Sequence, residues 1–314
     1  MNKNFEFCVR KFVSDHPNAT FAVAVSGGAD STALLYMMKE SGFPMVALTV
    51  DHNLRADSAK EAQYVAEICK KIGVSHHILE WTGKKPARGI EEAARRARYD
   101  LLSGFCKKNG VGVLVTAHHA DDQIETFLMN LGRGSGAYGL AGMRERSERD
   151  GVIIFRPLLS VPRAELIKYC DTAKIKYFND EMNEDEKFLR VRIRKNRHAL
   201  ADMGISDERI LRTMENMARL RDRIDAEADK FVKKIPVELD ASMLLNLPDE
   251  VRFRALSKML SDEYPIRLDD IKNAFGKLDG KDCKFTLANC NIRKLNGKIR
   301  IWKEGTSWQK HPRK

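Results

Sequence analysis

The chain has 314 residues, 43% hydrophobic and 32% charged, which is enough apolar surface for a sizeable core and more length than one typical domain needs. No run reaches the roughly 18 apolar residues of a membrane span, and the first residues lack the apolar stretch of a secretory signal. Six scattered cysteines without a C-x-x-C pair argue against a disulfide frame or a cysteine-held metal site, so a reduced, cytoplasmic protein is expected.

The first 200 residues alternate β-rich runs (Phe21–Val25, Met45–Val50, His76–Leu79, Val111–Thr116, Val152–Phe155) with segments of helical spacing such as Ser58–Ile72 and Ile90–Lys107. That order predicts an α/β fold, a doubly wound and mainly parallel sheet, with ligands received beyond the carboxyl ends of the strands. From Ser206 the pattern changes: Ile210, Met214, Met217, Ile224, Phe231 and Ile235 follow helical spacing up to Pro236. Asp249–Ser261 and Leu268–Phe275 read as short helices, and Lys284–Leu287 and Lys298–Trp302 as strands, the latter entered by an Asn296-Gly297 turn. The expected organisation is therefore a catalytic domain at 1–204, a connecting helix at 205–235 and a small basic α+β domain at 236–314. The formal charge of +11 is uneven, with +8 between Lys281 and Lys314 alone, which suggests a polyanion partner.

The first strand runs into Ser26-Gly27-Gly28-Ala29-Asp30-Ser31 and then a helix. Glycines allow positive φ and close backbone approach, so successive N–H groups can converge on one anion at a helix N-terminus. A P-loop would end in Gly-Lys-Ser/Thr, with the lysine on the β- and γ-phosphates; here an acid and a serine stand in that place. The hexapeptide suits pyrophosphate, with Ser26 and Ser31 offering hydroxyls and Asp30 helping to hold magnesium, a plan for cutting ATP between its α- and β-phosphates. It resembles the pyrophosphate loop of the N-type ATP pyrophosphatases, a superfamily that forms adenylated intermediates.

Three further stretches narrow the acceptor. Thr49–Ser58 ends the second strand with Asp51 and His52, where adenine and ribose would be received. In Gly89–Leu102, Arg95 and Arg98 share a helical face and could meet phosphates. In Val115–Met143 a helix starting near Ala120 sets Asp122 and Glu125 on one face, a pair suited to an ammonium group; His118 beside them invites a metal reading, though zinc asks for firmer spacing.

This block resembles the tRNA(Ile)-lysidine synthetase family. His118, Asp121, Asp122, Gln123, Glu125 and Thr126 meet its His-x-x-Asp-Asp-Gln-x-Glu-Thr pattern. Arg133, Gly134 and Gly136 meet Arg-Gly-x-Gly, and Gly139, Leu140, Gly142 and Met143 meet Gly-Leu-x-Gly-Met. Downstream, FRPLLSVPRAEL and NDEMNEDEKFLRVRIR also match, so the similarity spans about Val23 to Arg194. Gly89 and Asn53 stand where Asn and Gly are expected, and Met182 and Val191 replace a usual Ser and Asn.

The resemblance implies an adenine nucleotide alpha hydrolase-like fold and an enzyme that converts the wobble cytidine of a CAU-anticodon isoleucine tRNA to lysidine. ATP, Mg2+ and free L-lysine would be its small-molecule requirements. Asp122 and Glu125 would bind the lysine, and Arg95 would act near the phosphates or the base. Arg190, Arg192, Arg194, Lys195 and Arg197 crowd eight residues; as an extended segment alternate arginines would line one side, and as a helix they would spread. With Arg133 and the basic C-terminal region they are candidates for tRNA phosphates. Trp302, Trp308 and Tyr264 offer faces for base stacking, although core packing suits Trp302 and Tyr264 better. A homodimer stays open. The rival on the same scaffold is a tRNA thiolase, which the lack of a close cysteine pair disfavours.

Overall fold

A computed structural model of the chain describes residues 2–53, 58–83, 85–86, 89–178, 187, 189–233, 238–260 and 266–304. The expectations for Met182, Pro236, Tyr264 and Trp308 fall outside these residues. The described elements run α1 (Lys3–Asp15), β1 (Phe21–Ala24), α2 (Ala29–Glu40), β2 (Met45–Asp51), α3 (Ser58–Ile72), β3 (Ser75–Glu80), α4 (Ile90–Lys108), β4 (Val113–Val115), α5 (Ala120–Gly132), α6 (Ala137–Leu140), β5 (Arg146–Arg149), β6 (Val152–Phe155), α7 (Arg163–Thr172) and α8 (Leu189–Asp202). Then follow α9 (Asp207–Lys233), β7 (Glu238–Asp240), α10 (Ala241–Leu245), α11 (Asp249–Leu260), α12 (Leu268–Leu278), β8 (Cys283–Leu287), β9 (Cys290–Leu295) and β10 (Lys298–Lys303). Two compact units divide the chain, Met1–Met214 and Glu215–Lys314, so α9 begins in the first and continues in the second.

The first unit holds a six-stranded sheet in the order β3-β2-β1-β4-β6-β5, parallel except for β5. Side chains alternate across it, as a strand buried on both faces requires. Phe21 and Val23 of β1 join one core with Phe5 and Phe12 of α1, Leu34 of α2 and Leu166 of α7, whereas Ala22 faces the other with Tyr99, Leu102 and Cys106 of α4. Strand β5 escapes the sequence reading because Arg-Ser-Glu-Arg carries no β-branched or aromatic residue. It forms by antiparallel pairing with β6 through a turn in which Asp150 and Gly151 both take positive φ, and its charges protect an edge.

In the second unit the sheet order is β7-β10-β9-β8. Asn296 and Gly297, at φ 51° and 73°, make the expected tight turn between β9 and β10. Alternation along β10 sends Ile299 and Ile301 into the core and leaves Trp302 on the opposite face, with the Lys284 ammonium 5.9 Å from its ring centroid. Trp302 is therefore a sheet-face residue, contrary to the expectation of core packing.

Candidate active site

At the carboxyl end of β1 the ladder continues one residue, Val25 donating to Leu48 O at 2.8 Å, and the chain then turns. Gly27 has φ +90°, a conformation that favours glycine, and a side chain there would start 3.3 Å from Val65 Cγ2, which would have to give way slightly. Ser31 folds the loop from within: its Oγ accepts from Ser26 N at 3.0 Å and donates to Gly28 O at 3.1 Å. The expected offer of this hydroxyl to a phosphate thus competes with its work inside the turn. Helix α2 starts immediately after Gly28, leaving the first N–H groups of the helix at the loop.

Beyond this end of the sheet, where the strand order reverses between β1 and β4, lies a cavity of about 800 Å³. Ser26, Gly28, Ala29, Asp30 and Ser31 form part of its wall, facing Asp51 and His52 at the end of β2. Of the other predicted residues, Arg95, Arg98, Asp122 and Arg190 also line it, whereas Gly27 and Glu125 do not. Arg95 and Arg98 sit over the Tyr99 ring, 5.3 and 5.6 Å from its centroid, which orders both guanidinium groups. Burial and the nearby charge of Arg98 push the His52 pKa down, keeping a neutral ring edge-on to Trp81. Burial, together with Arg156, Arg95, Arg98 and Arg190, drives His118 well below the usual imidazole range, and its Nδ1 meets Thr116 Oγ1 at 2.9 Å.

The segment Arg190–His198 is part of helix α8, so its basic residues spread around the axis. Arg190 reaches the cavity. Arg194 binds Glu125, its Nη2 2.7 Å from Oε1, and Arg197 binds Asp121 at 2.6 Å and also Asp207. Arg192, Lys195 and Arg133 are exposed. Glu125 itself is fully buried behind the cavity wall. Asp122 and Glu125 do share a helix, but only Asp122 presents itself to the cavity.

Sequence reasoning missed Arg163, Phe178 and His119. Arg163 Nε lies 3.3 Å from Asp30 Oδ1. Burial alone would raise the Asp30 pKa, but the hydrogen bond from His119 and the charges of His119 and Arg163 outweigh it and hold the carboxyl below its ordinary range. Phe178 N donates to Gly27 O at 2.9 Å, closing the back of the loop. The only signal for Arg163 was its place in FRPLLSVPRAEL, and nothing local marks Phe178 as a loop partner.

Several motif residues prove architectural. Gln123 pins Met143 from both sides, Nε2 to the carbonyl at 2.9 Å and Oε1 from the N–H at 2.8 Å. A side chain on Gly142 would start 2.7 Å from that Oε1. The Asn53 and Gly89 departures also have a cause: both positions adopt left-handed backbone, φ 49° and 68°, where Asn and Gly are the residues best tolerated.

Among the described residues no group of three or more His, Cys, Asp or Glu side chains is arranged to hold a metal ion. Magnesium usually needs only one or two carboxylates plus substrate phosphates. Asp30, on the cavity wall in the Ser26–Ser31 turn, fits that demand.

The fold and this turn define a PP-loop protein, and a family model described as a PP-loop domain matches residues 1–200. A tRNA(Ile)-lysidine synthase of Bradyrhizobium diazoefficiens is 38% identical, over 82% of this chain and 77% of the relative. One from Ruegeria pomeroyi is 36% identical, over 94% and 74%. The chain belongs to the tRNA(Ile)-lysidine synthase family of PP-loop proteins. Among solved structures, the U34-tRNA thiolase NcsA of Methanococcus maripaludis aligns with a TM-score of 0.58 at 19% identity, covering 69% of this chain and 78% of that one, a likeness of fold.

Proposed function

We propose that this chain is an ATP-dependent tRNA(Ile)-lysidine synthetase, a ligase that adenylates the C2 carbonyl of a wobble cytidine and replaces the adenylate with free lysine. The observation that carries this reading is one cavity in which the glycine turn, four arginines (Arg95, Arg98, Arg163 and Arg190) and the Asp122 carboxylate converge. The turn Ser26–Ser31 and the start of α2 hold the β- and γ-phosphates, and Asp51 and His52 receive the nucleoside. Cytosine O2 attacks the α-phosphorus and pyrophosphate departs. The lysine ε-amine then attacks C2, and AMP leaves with the C2–O bond. Magnesium, held by Asp30 and the phosphates, would neutralise charge on the leaving group.

An amine of pKa about 10.4 carries a deprotonation cost of about 4.6 kcal/mol at pH 7, so the attacking nitrogen needs an acceptor for its proton. Asp122 is placed for that proton and for the ammonium before it. Glu125 stands behind, joined to Arg194, and meets the amine only when Arg194 yields it. Arg95, Arg98 and Arg190 supply positive charge for phosphates and for the base oxygen. The first unit carries the chemistry. The second, with its basic strands and exposed Lys284 and Arg293, serves tRNA binding, as do Arg133, Arg192 and Lys195. No described helix is long and apolar enough to cross a membrane.

Labelled lysine should enter a CAU-anticodon tRNA transcript only with ATP and magnesium. Incorporation of sulfur in place of lysine would move the protein to the thiolases.

A further inference from the structure

His119, immediately before α5, is 3% exposed and surrounded by carboxylates. Its Nε2 lies 3.6 Å from Asp30 Oδ2 and 3.5 Å from Asp122 Oδ2, and its Nδ1 lies 3.7 Å from Asp121 Oδ2. Asp30 belongs to the first turn of α2, the helix of the anion-binding turn, whereas Asp121 and Asp122 belong to the first turn of α5. The residue falls at an unspecified position of the motif that drew attention to its neighbours.

We propose that His119 is a positioning residue that ties the nucleotide side of the site to the amine side by sharing one imidazole nitrogen between Asp30 and Asp122. Three carboxylates this close repel one another unless a donor stands among them. Arginines serve the periphery: Arg163 Nε reaches Asp30, while the Arg163 backbone N, at 2.8 Å, and Arg197 reach Asp121. Asp122 accepts a hydrogen bond from the His119 backbone N–H at 3.0 Å and has the imidazole beside it as an ion-pair partner. The side chain thus sets the angle at which Asp30 and Asp122 face the cavity that both line. It is no part of the cavity wall and acts through those two carboxylates.

The inference rests on the lysidine synthetase reading for its amine half only. The test compares His119→Leu, which removes the shared donor, with His119→Gln, whose amide N–H can reach the place of Nε2. Lysine transfer to the tRNA transcript is measured with ATP and lysine varied in turn. For H119L, KM for both substrates should rise about tenfold, the loss expected when buried carboxylates lose the polar partner that stands between them, and H119Q should recover most of both. A purely structural role lowers kcat by reducing the folded fraction and leaves both KM values where they were. That result, or equal KM defects in the two variants, overturns the proposal. If the wild type transfers no lysine, the functional reading fails by itself, and ATP–pyrophosphate exchange with tRNA present still tests the tie to Asp30 through the KM for ATP.

Discussion

Replacing Arg194 with methionine should destabilise the first unit strongly, and more so at alkaline than at acid pH. Arg194 makes two hydrogen bonds to Glu125 Oε1, from Nε at 3.0 Å and Nη2 at 2.7 Å, and the carboxylate is wholly buried while the arginine side chain stays one-third exposed. Removing one partner of a buried pair costs about 3–5 kcal/mol, and the partial exposure of Arg194 argues for the low end, about 3 kcal/mol. For a unit of this size that corresponds to a fall in Tm of about 6–12 °C.

The pH dependence follows from the direction of the Glu125 shift. Burial raises its pKa, and the hydrogen bond and charge of Arg194 only partly offset this. Without Arg194 the folded-state value rises further. A carboxyl whose folded pKa is raised stabilises the native state fully below its unfolded pKa and loses that contribution as pH rises through the folded one. The R194M deficit should therefore be largest near pH 8 and shrink toward pH 5. Adding Glu125→Gln should return much of the loss, because no charge is then left buried alone. Thermal unfolding of the two single variants and the double variant across this pH range provides the measurement. A deficit that is independent of pH, or a double variant as unstable as the sum of the singles, would refute the reasoning.

Gly27→Ala forces a side chain into φ +90° beside Val65, so unfolding should lose about 1–3 kcal/mol and the KM for ATP should rise; an unchanged KM would detach this turn from nucleotide binding. Asp30→Ala should abolish adenylation while leaving tRNA affinity largely intact, read by pyrophosphate release and filter binding. The lowered Asp30 pKa adds a sign: its contribution to stability is present above the unfolded value near 3.8 and lost as pH falls through the folded one. Asp30→Asn should accordingly flatten the acid limb of the stability curve, which urea midpoints below pH 5 would show.

The parallel core of the fold was legible because strands buried on both faces announce themselves as short apolar runs, as in Phe21–Val25 and Val152–Phe155. What the sequence concealed was structure created by pairing. Arg146–Arg149 becomes a strand only through its neighbour, and β9, with Asn291, Arg293 and Lys294, looks polar until one face is buried between two strands. In the site, residues grouped by a single loop or helix turn were found: the Ser26–Ser31 loop, Arg95 with Arg98, and Asp122. Those joined across the chain were not. Arg163 meets Asp30 from 133 residues away and Arg194 meets Glu125 from 69, and spacing rules hold no information about such distances. The assignment of Glu125 to the cavity illustrates the limit, since a shared helical face does not say which of two carboxylates a neighbouring helix will cover.

A scaffold shared with a thiolase cannot by itself choose between sulfur and nitrogen as the second nucleophile, so the groups near the cavity must. Sulfur transfer needs an accessible thiolate, or at least a thiol whose pKa is not raised by burial. Cys69, Cys106 and Cys170 are buried, with pKa values pushed up to about 11, and burial beside Glu145 pushes Cys8 up to about 12. Cys170 lies beside the Ser26–Ser31 turn and spends its Sγ on Ala29 O at 3.8 Å. Among the described residues no cysteine forms part of the cavity wall, where a nucleophile would have to stand. An amine arriving from solution asks instead for a carboxylate at the wall and arginines for the competing phosphates, and we propose Asp122 for the first task and Arg95, Arg98 and Arg190, which line the same cavity, for the second.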